Sequence, residues 1–370
     1  MKLLITIIGI LFVVAVIFIL ILPFMLGLGE FSLDTAGLAP LRGGARGEDI
    51  ILISDNAGGD WKEVIESDNT RSAMPAVIYD FEFHPHDSKT MFLGGKRSGL
   101  WVSKDAGKNW GMVSGKNSVL NERADVYAID INKSNPQIMY LAVFQQNKGR
   151  IFKSEDGGLV FKEVYFAPAE RIGVFGVFSD PENSNKVYII TGQGGFLDSQ
   201  NGGKTWRVRK WFSEPLPKLV PNKIYPFEMY IATASGKIFK TFDRGENWAD
   251  LNSDFENFKG SHKLTALVID NLNFTTVYHG SSYGLLRSQN GGFSWLPVKV
   301  IIPPEALPVN AVAVDPFNSR VIHMAASSQV YKSVDGGENW SVDQLPTKLK
   351  IKMIKINPKD SKIIYAILGR

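Results

Sequence analysis

The chain has 370 residues, 44% hydrophobic and 21% charged, with a formal net charge of +4. That is globular material with length for one large core, and the charge is too mild to argue for nucleic acid as a partner. There is no cysteine, which excludes disulfides, thiol catalysis, thiolate-bound metal and a lipidated cysteine behind a leader.

Residues 3–28 carry no charge. A cleaved signal has an apolar core of about 7–15 residues and a small-x-small exit. This run is longer and lacks that exit, and about 20 apolar residues cross a bilayer. Residues 1–28 are therefore expected to be a transmembrane signal-anchor. Lys2 lies on the short side, so the positive-inside rule puts the N-terminus in the cytoplasm and the body outside it, periplasmic or at the cell surface. Residues 29–47, with Gly37, Gly43, Gly44 and Gly47, read as a flexible linker.

From residue 48 onward the chain is organised by one eight-residue phrase, Ser/Thr-x-Asp/Asn-x-Gly-x-x-Trp/Phe, which occurs seven times. The defining residues are Ser54, Asn56, Gly58 and Trp61; Ser103, Asp105, Gly107 and Trp110; Ser154, Asp156, Gly158 and Phe161; Ser199, Asn201, Gly203 and Trp206; Thr241, Asp243, Gly245 and Trp248; Ser288, Asn290, Gly292 and Trp295; and Ser333, Asp335, Gly337 and Trp340. Successive copies start 49, 51, 45, 42, 47 and 45 residues apart, the period of solenoids and propellers. Each copy lies between short runs of strand formers. The Asp or Asn can bond its own backbone, the glycine supplies positive φ, and the aromatic ring folds back over the hairpin. Seven identical turns suit a repeat fold, whereas seven identical active sites would not.

The phrase is the Asp-box, or bacterial neuraminidase repeat. Residues 48–370 resemble the Asp-box β-propellers, among them sialidases, xyloglucanases, the sortilin luminal domain and the photosystem II assembly-factor-like propellers of bacteria. The resemblance is specific for fold and not for function.

Two more strand-like runs precede each copy, giving four strands per unit. First strands are expected to start near Val77, Val126, Ile172, Leu219, Leu264, Val309 and Ile351. The turn after each carries Asn132, Asp180, Asp270, Asp315 or Asn357, often followed by proline. In that register His84-Pro85-His86 is a variant of the same turn and not a metal pair. The last strand pair, 351–368, has no phrase after it, and the first phrase has no pair before it. The ends therefore share one blade. The expectation is an all-β, single seven-bladed propeller over 48–370 whose closing blade takes two strands from each end, since closure removes exposed sheet edges.

Phrases and first-to-second turns fall on one face. Second-to-third turns and inter-blade loops fall on the other, which we term the loop face, where binding residues usually sit. Arg71, Arg123 and Arg171 stand before first strands at the blade period. Lys96, Arg97, Lys148 and Arg150 lie in or beside second-to-third turns, and Arg209 and Trp211 in a later insert. Arginine forks suit carboxylates and phosphates. These nine are the candidate binding residues. Tyr283 is a further loop aromatic for which core packing is an equal reading, and Trp101 reads as core.

Three functions compete. The favoured one is a non-catalytic, membrane-tethered propeller that holds a protein or peptide client, of the assembly-factor or scaffold type. The resemblance also admits a glycoside hydrolase. A sialidase, however, would show an Arg-Ile-Pro segment and a catalytic set that are not visible here. Xyloglucanase-like enzymes join two propellers around paired carboxylates, and nothing in the sequence pairs Glu122, Glu170 or Asp254. Carbohydrate binding without catalysis would rest on Trp211. No catalytic residue, cofactor or metal is assigned.

Overall fold

The computed structural model describes residues 49–64, 75–113, 119–345 and 347–369. The expected anchor and linker lie outside them, as does Arg71. Among the described residues no helix is long and apolar enough to cross a membrane.

The recurring phrase builds its turn from its own side chains. At every copy the Ser or Thr hydroxyl accepts the N–H of the fifth-position glycine at 2.7–2.8 Å. The same hydroxyl donates to the Asp or Asn Oδ1 at 2.8–3.0 Å. That Oδ1 in turn accepts the N–H four residues on at 2.8–2.9 Å. The glycines take φ between 89° and 100°, where a Cβ would be strained.

The turn also locks blade to blade, which the sequence did not reveal. In four of the copies the fourth-position carbonyl receives a side-chain donor from the preceding blade. Tyr365 Oη donates to Ala106 O at 3.1 Å, and Tyr230 Oη to Gly291 O at 3.0 Å. Lys332 Nζ donates to Ala57 O at 2.8 Å, and Arg287 Nη1 to Gly336 O at 2.7 Å.

These units make seven four-stranded antiparallel sheets. The first strands are Ile78–Phe83, Asp125–Ile131, Val174–Ser179, Lys218–Pro221, Leu264–Ile269, Ala311–Asp315 and Lys350–Ile356, each starting within two residues of its expected position. We number the blades 1–7 in that order. First strands of most successive blades approach one another, and the first strands line the axis. The closing blade runs outward as Lys350–Ile356, Ile364–Gly369, Ile50–Ser54 and Lys62–Glu63, two strands from each end. The fold is a seven-bladed β-propeller. Its core lies between adjacent sheets. One position of the second strand recurs as Phe92, Tyr140, Tyr188, Tyr230, Tyr278, His323 and Tyr365, all buried.

The first-to-second turns follow the expected pattern. Asn132 Oδ1 accepts the N–H of Asn135 at 3.0 Å, Asp180 Oδ1 that of Glu182 at 2.8 Å, and Asp315 Oδ1 that of Phe317 at 2.8 Å. His84 Nδ1 takes the same role, accepting from Asp87 N at 3.1 Å. Its lone pair is committed to the turn.

Candidate binding surface

Hydrogen bonds place the second-to-third turns against the inter-blade segments, which defines the loop face. Lys96 N donates to Val77 O at 2.8 Å. Arg97 N donates to Asp125 Oδ1 at 2.7 Å and Arg171 N to Asn147 O at 2.8 Å. Arg97, Arg123 and Arg171 are exposed. Lys148 is half-buried, its Nζ 5.6 Å from the centroid of the Phe166 ring. Trp211 is 56% exposed and Phe166 is 55% exposed. Both stand five residues after the phrase aromatic, in neighbouring blades 3 and 2, so they share one stretch of rim. The structure thus gathers Lys96, Arg97, Arg123, Lys148, Arg171 and Trp211 on one side of the loop face and adds Phe166. Glu122 and Glu170 are interspersed, and Glu170 accepts from Asn147 Nδ2 at 2.9 Å.

Arg150 and Arg209 do not join that group. Arg150 pairs with Glu163 on the neighbouring strand and donates to Gln146 Oε1 at 3.0 Å. Arg209 donates from Nη2 to the buried Asp198 at 3.1 Å and pairs with Glu246, in the recurring turn of blade 4 on the opposite face. Both guanidiniums serve the sheets. Trp101 is core, donating to Ser98 O at 2.8 Å. Tyr283 packs on Phe258 at 5.2 Å. Asp254 accepts the N–H of Trp295 at 2.9 Å, a structural task.

The mouth of the ring on this face is shaped by β-bulges. The register of the first strand slips at Tyr79, Tyr127 and Phe175, each bulged between paired neighbours. A bulge re-aims the extra side chain. Tyr79 stacks on Tyr127 at 4.9 Å and Tyr127 meets Phe175 edge-on at 5.1 Å. These residues recur 48 apart, a signal present in the sequence and overlooked.

The axis itself is charged. Asp80 and Glu82 of blade 1 and Asp130 of blade 2 face Lys218 and Lys223 of blade 4 and Lys355 of blade 7. Lys223 pairs with Glu82 across the ring. Burial would raise Glu82, but Lys223 and Lys355 hold it below its ordinary value. Burial raises Asp130 to about 6 against the pull of Lys223 and Ser179. Asp80 accepts from Ile129 N at 2.8 Å, and Asp130 from Ser179 N at 2.9 Å. Asp80 thus ties blade 1 to blade 2, and Asp130 ties blade 2 to blade 3.

No protein-family model matches the chain. A curated relative, the xyloglucanase Xgh74A of Acetivibrio thermocellus, is 23% identical over 246 residues, 54% of this chain and 28% of the relative. The GH74 xyloglucanase structure from Xanthomonas campestris superposes with a TM-score of 0.65 at 14% identity, over 79% of this chain and 51% of that one. YCF48 from Cyanidioschyzon merolae gives 0.61 at 15%, over 78% and 95%. YCF48 bound to D1 peptide gives 0.62 at 14%, over 89% and 97%. The chain therefore spans about half the length of the xyloglucanase structure and under a third of the curated relative. At these identities the likenesses show the fold, a seven-bladed propeller.

Proposed function

We propose that the chain is a non-catalytic propeller that binds a protein or peptide partner through the blade 1–3 side of its loop face. The observation that carries this is the grouping of exposed Arg97, Arg123 and Arg171 with the exposed rings of Phe166 and Trp211 beside the aromatic mouth. Arginine and aromatic residues dominate the energetics of protein interfaces. Two further facts support the reading. The chain covers nearly the whole of the YCF48 structures, one of them bound to a peptide. The carboxylates on the axis are also engaged in holding blades together. The uncharged stretch 3–28 would tether the propeller to a membrane, outside the cytoplasm. Charge reversal at Arg97, Arg123 and Arg171 together is expected to abolish capture of the partner by the full chain. Unchanged capture would overturn the assignment.

A glycoside-active reading is favoured by one observation, the sequence match to a xyloglucanase. It requires a carboxylate pair flanking a sugar. Release of reducing ends from xyloglucan, lost on replacing Asp80 or Asp130 in variants whose thermal unfolding shows the fold intact, would establish it.

A further inference from the structure

We infer that Lys218 and Lys355 form an oxyanion site inside the ring, entered from the loop face and suited to a carboxylate or phosphate on a narrow ligand. The inference comes from counting acceptors. Asp80 uses Oδ1 for the N–H of Phe81 at 2.9 Å and Oδ2 for that of Ile129 at 2.8 Å. Asp130 Oδ2 accepts from both the backbone and the hydroxyl of Ser179. Glu82 accepts from Lys223. Nearer the mouth, Lys352 Nζ is taken by Asp49 at 2.8 Å. Every carboxylate named here already has a protein donor. Among the described residues, the Lys218 and Lys355 ammoniums have no hydrogen bond and no carboxylate within ion-pair distance.

The placement suits an incoming anion. Lys218 lies on the first strand of blade 4 and Lys355 on that of blade 7, across the axis from one another. By register Lys218 pairs with Ala232 near the loop-face end, and Lys355 pairs with Tyr365 deeper in. The Lys223–Glu82 pair crosses the ring on the far side, so the way in is past Tyr79, Tyr127 and Phe175. Burial, with Lys355 facing it, pulls Lys218 down to about 8, while Asp80 pulls it up. The two ammoniums repel one another, Asp80 offsets only part of that at Lys218, and an anion reaching both would meet their unused donors.

This site deepens the proposed binding role if a partner carries the anion; the site itself does not depend on the rim. The test is trace acetylation of the full chain, read lysine by lysine by mass spectrometry. The probes are inorganic phosphate and acetylated trialanine with either a free or an amidated C-terminus. At ten times the Kd of a bound probe, Lys218 and Lys355 are expected to react about tenfold more slowly, following the occupancy factor. Exposed Lys104 should be unchanged. Protection by the free acid and not the amide assigns the site to a chain-terminal carboxylate. Protection by phosphate alone assigns it to a free oxyanion. Unchanged rates with all three probes would overturn the proposal. Lys355→Met removes a charge that faces Lys218 and also one of the cations that favour ionised Asp80 and Glu82, so some thermal stability is expected to be lost. With the fold intact by circular dichroism, protection of Lys218 should be lost. Full protection of Lys218 in that variant would equally overturn it. Reversing the rim arginines should leave protection intact, which separates failure of this site from failure of the rim.

Discussion

Lys223, just after the first strand of blade 4, pairs with Glu82 on the first strand of blade 1, 141 residues earlier in the chain. The pair joins blades three apart and crosses the axis. The side chains are 44% and 21% exposed, so screening keeps the contribution below that of a buried pair. Lys223→Met is expected to cost about 1–2 kcal/mol in a denaturant titration, with Glu82→Gln in the same chain recovering most of it. Because Glu82 is held below its ordinary value, this contribution is present at neutral pH and lost as pH falls through its folded pKa.

His323 and Asp130 give opposite pH dependences. His323 is buried and pulled down to about 4, with Lys332 adding to the desolvation. It stays neutral in the fold but charges on unfolding, so its contribution is full above pH 6.5 and lost progressively below. Five other blades carry tyrosine at this position. His323→Tyr should therefore lose less stability on acidification than wild type, by about 2 kcal/mol at pH 5.

Asp130 runs the other way. Its folded pKa of about 6 lies above the ordinary 3.8, so the folded state binds the extra proton. Stability gains from this group as pH falls from about 6 towards 4. Asp130→Asn is expected to remove that gain, visible as a change of slope in the wild-type-minus-variant difference.

The glycine of the recurring turn is a backbone requirement. At Gly245 φ is +89° and an added Cβ would lie 2.2 Å from the Phe196 ring of the preceding blade. Gly245→Ala should destabilise by about 1–3 kcal/mol or more. Gly111, with nothing within 4 Å of its Cβ position, is the control, and Gly111→Ala should leave thermal unfolding nearly unchanged.

What could be read from the sequence follows the range of each interaction. The recurring turn closes within eight residues, so its role, the blade count and the shared closing blade were all legible. His84 was legible as a turn residue for the same reason. Arg150 and Arg209 stand among the sequence's candidate binding residues because their ion-pair partners are not visible locally. Glu163 is across a hairpin, and Glu246 is 37 residues on, in another blade. The charged axis was missed because only ring closure brings Glu82 to Lys223 and sets Lys218 facing Lys355. The Tyr79, Tyr127 and Phe175 spacing was visible, but their bulges are a matter of register.

The most direct test of the binding account is cross-linking of the full chain in a membrane extract with an amine-reactive reagent, followed by mapping of the linked lysines. Lys96, Lys148 and Lys210 stand on or beside the proposed surface, whereas Lys104 and Lys204 lie in recurring turns on the opposite face. The account predicts a partner linked through the first three, and lost when Arg97, Arg123 and Arg171 are reversed. A partner linked only through Lys104 or Lys204, and unaffected by the reversal, would contradict it.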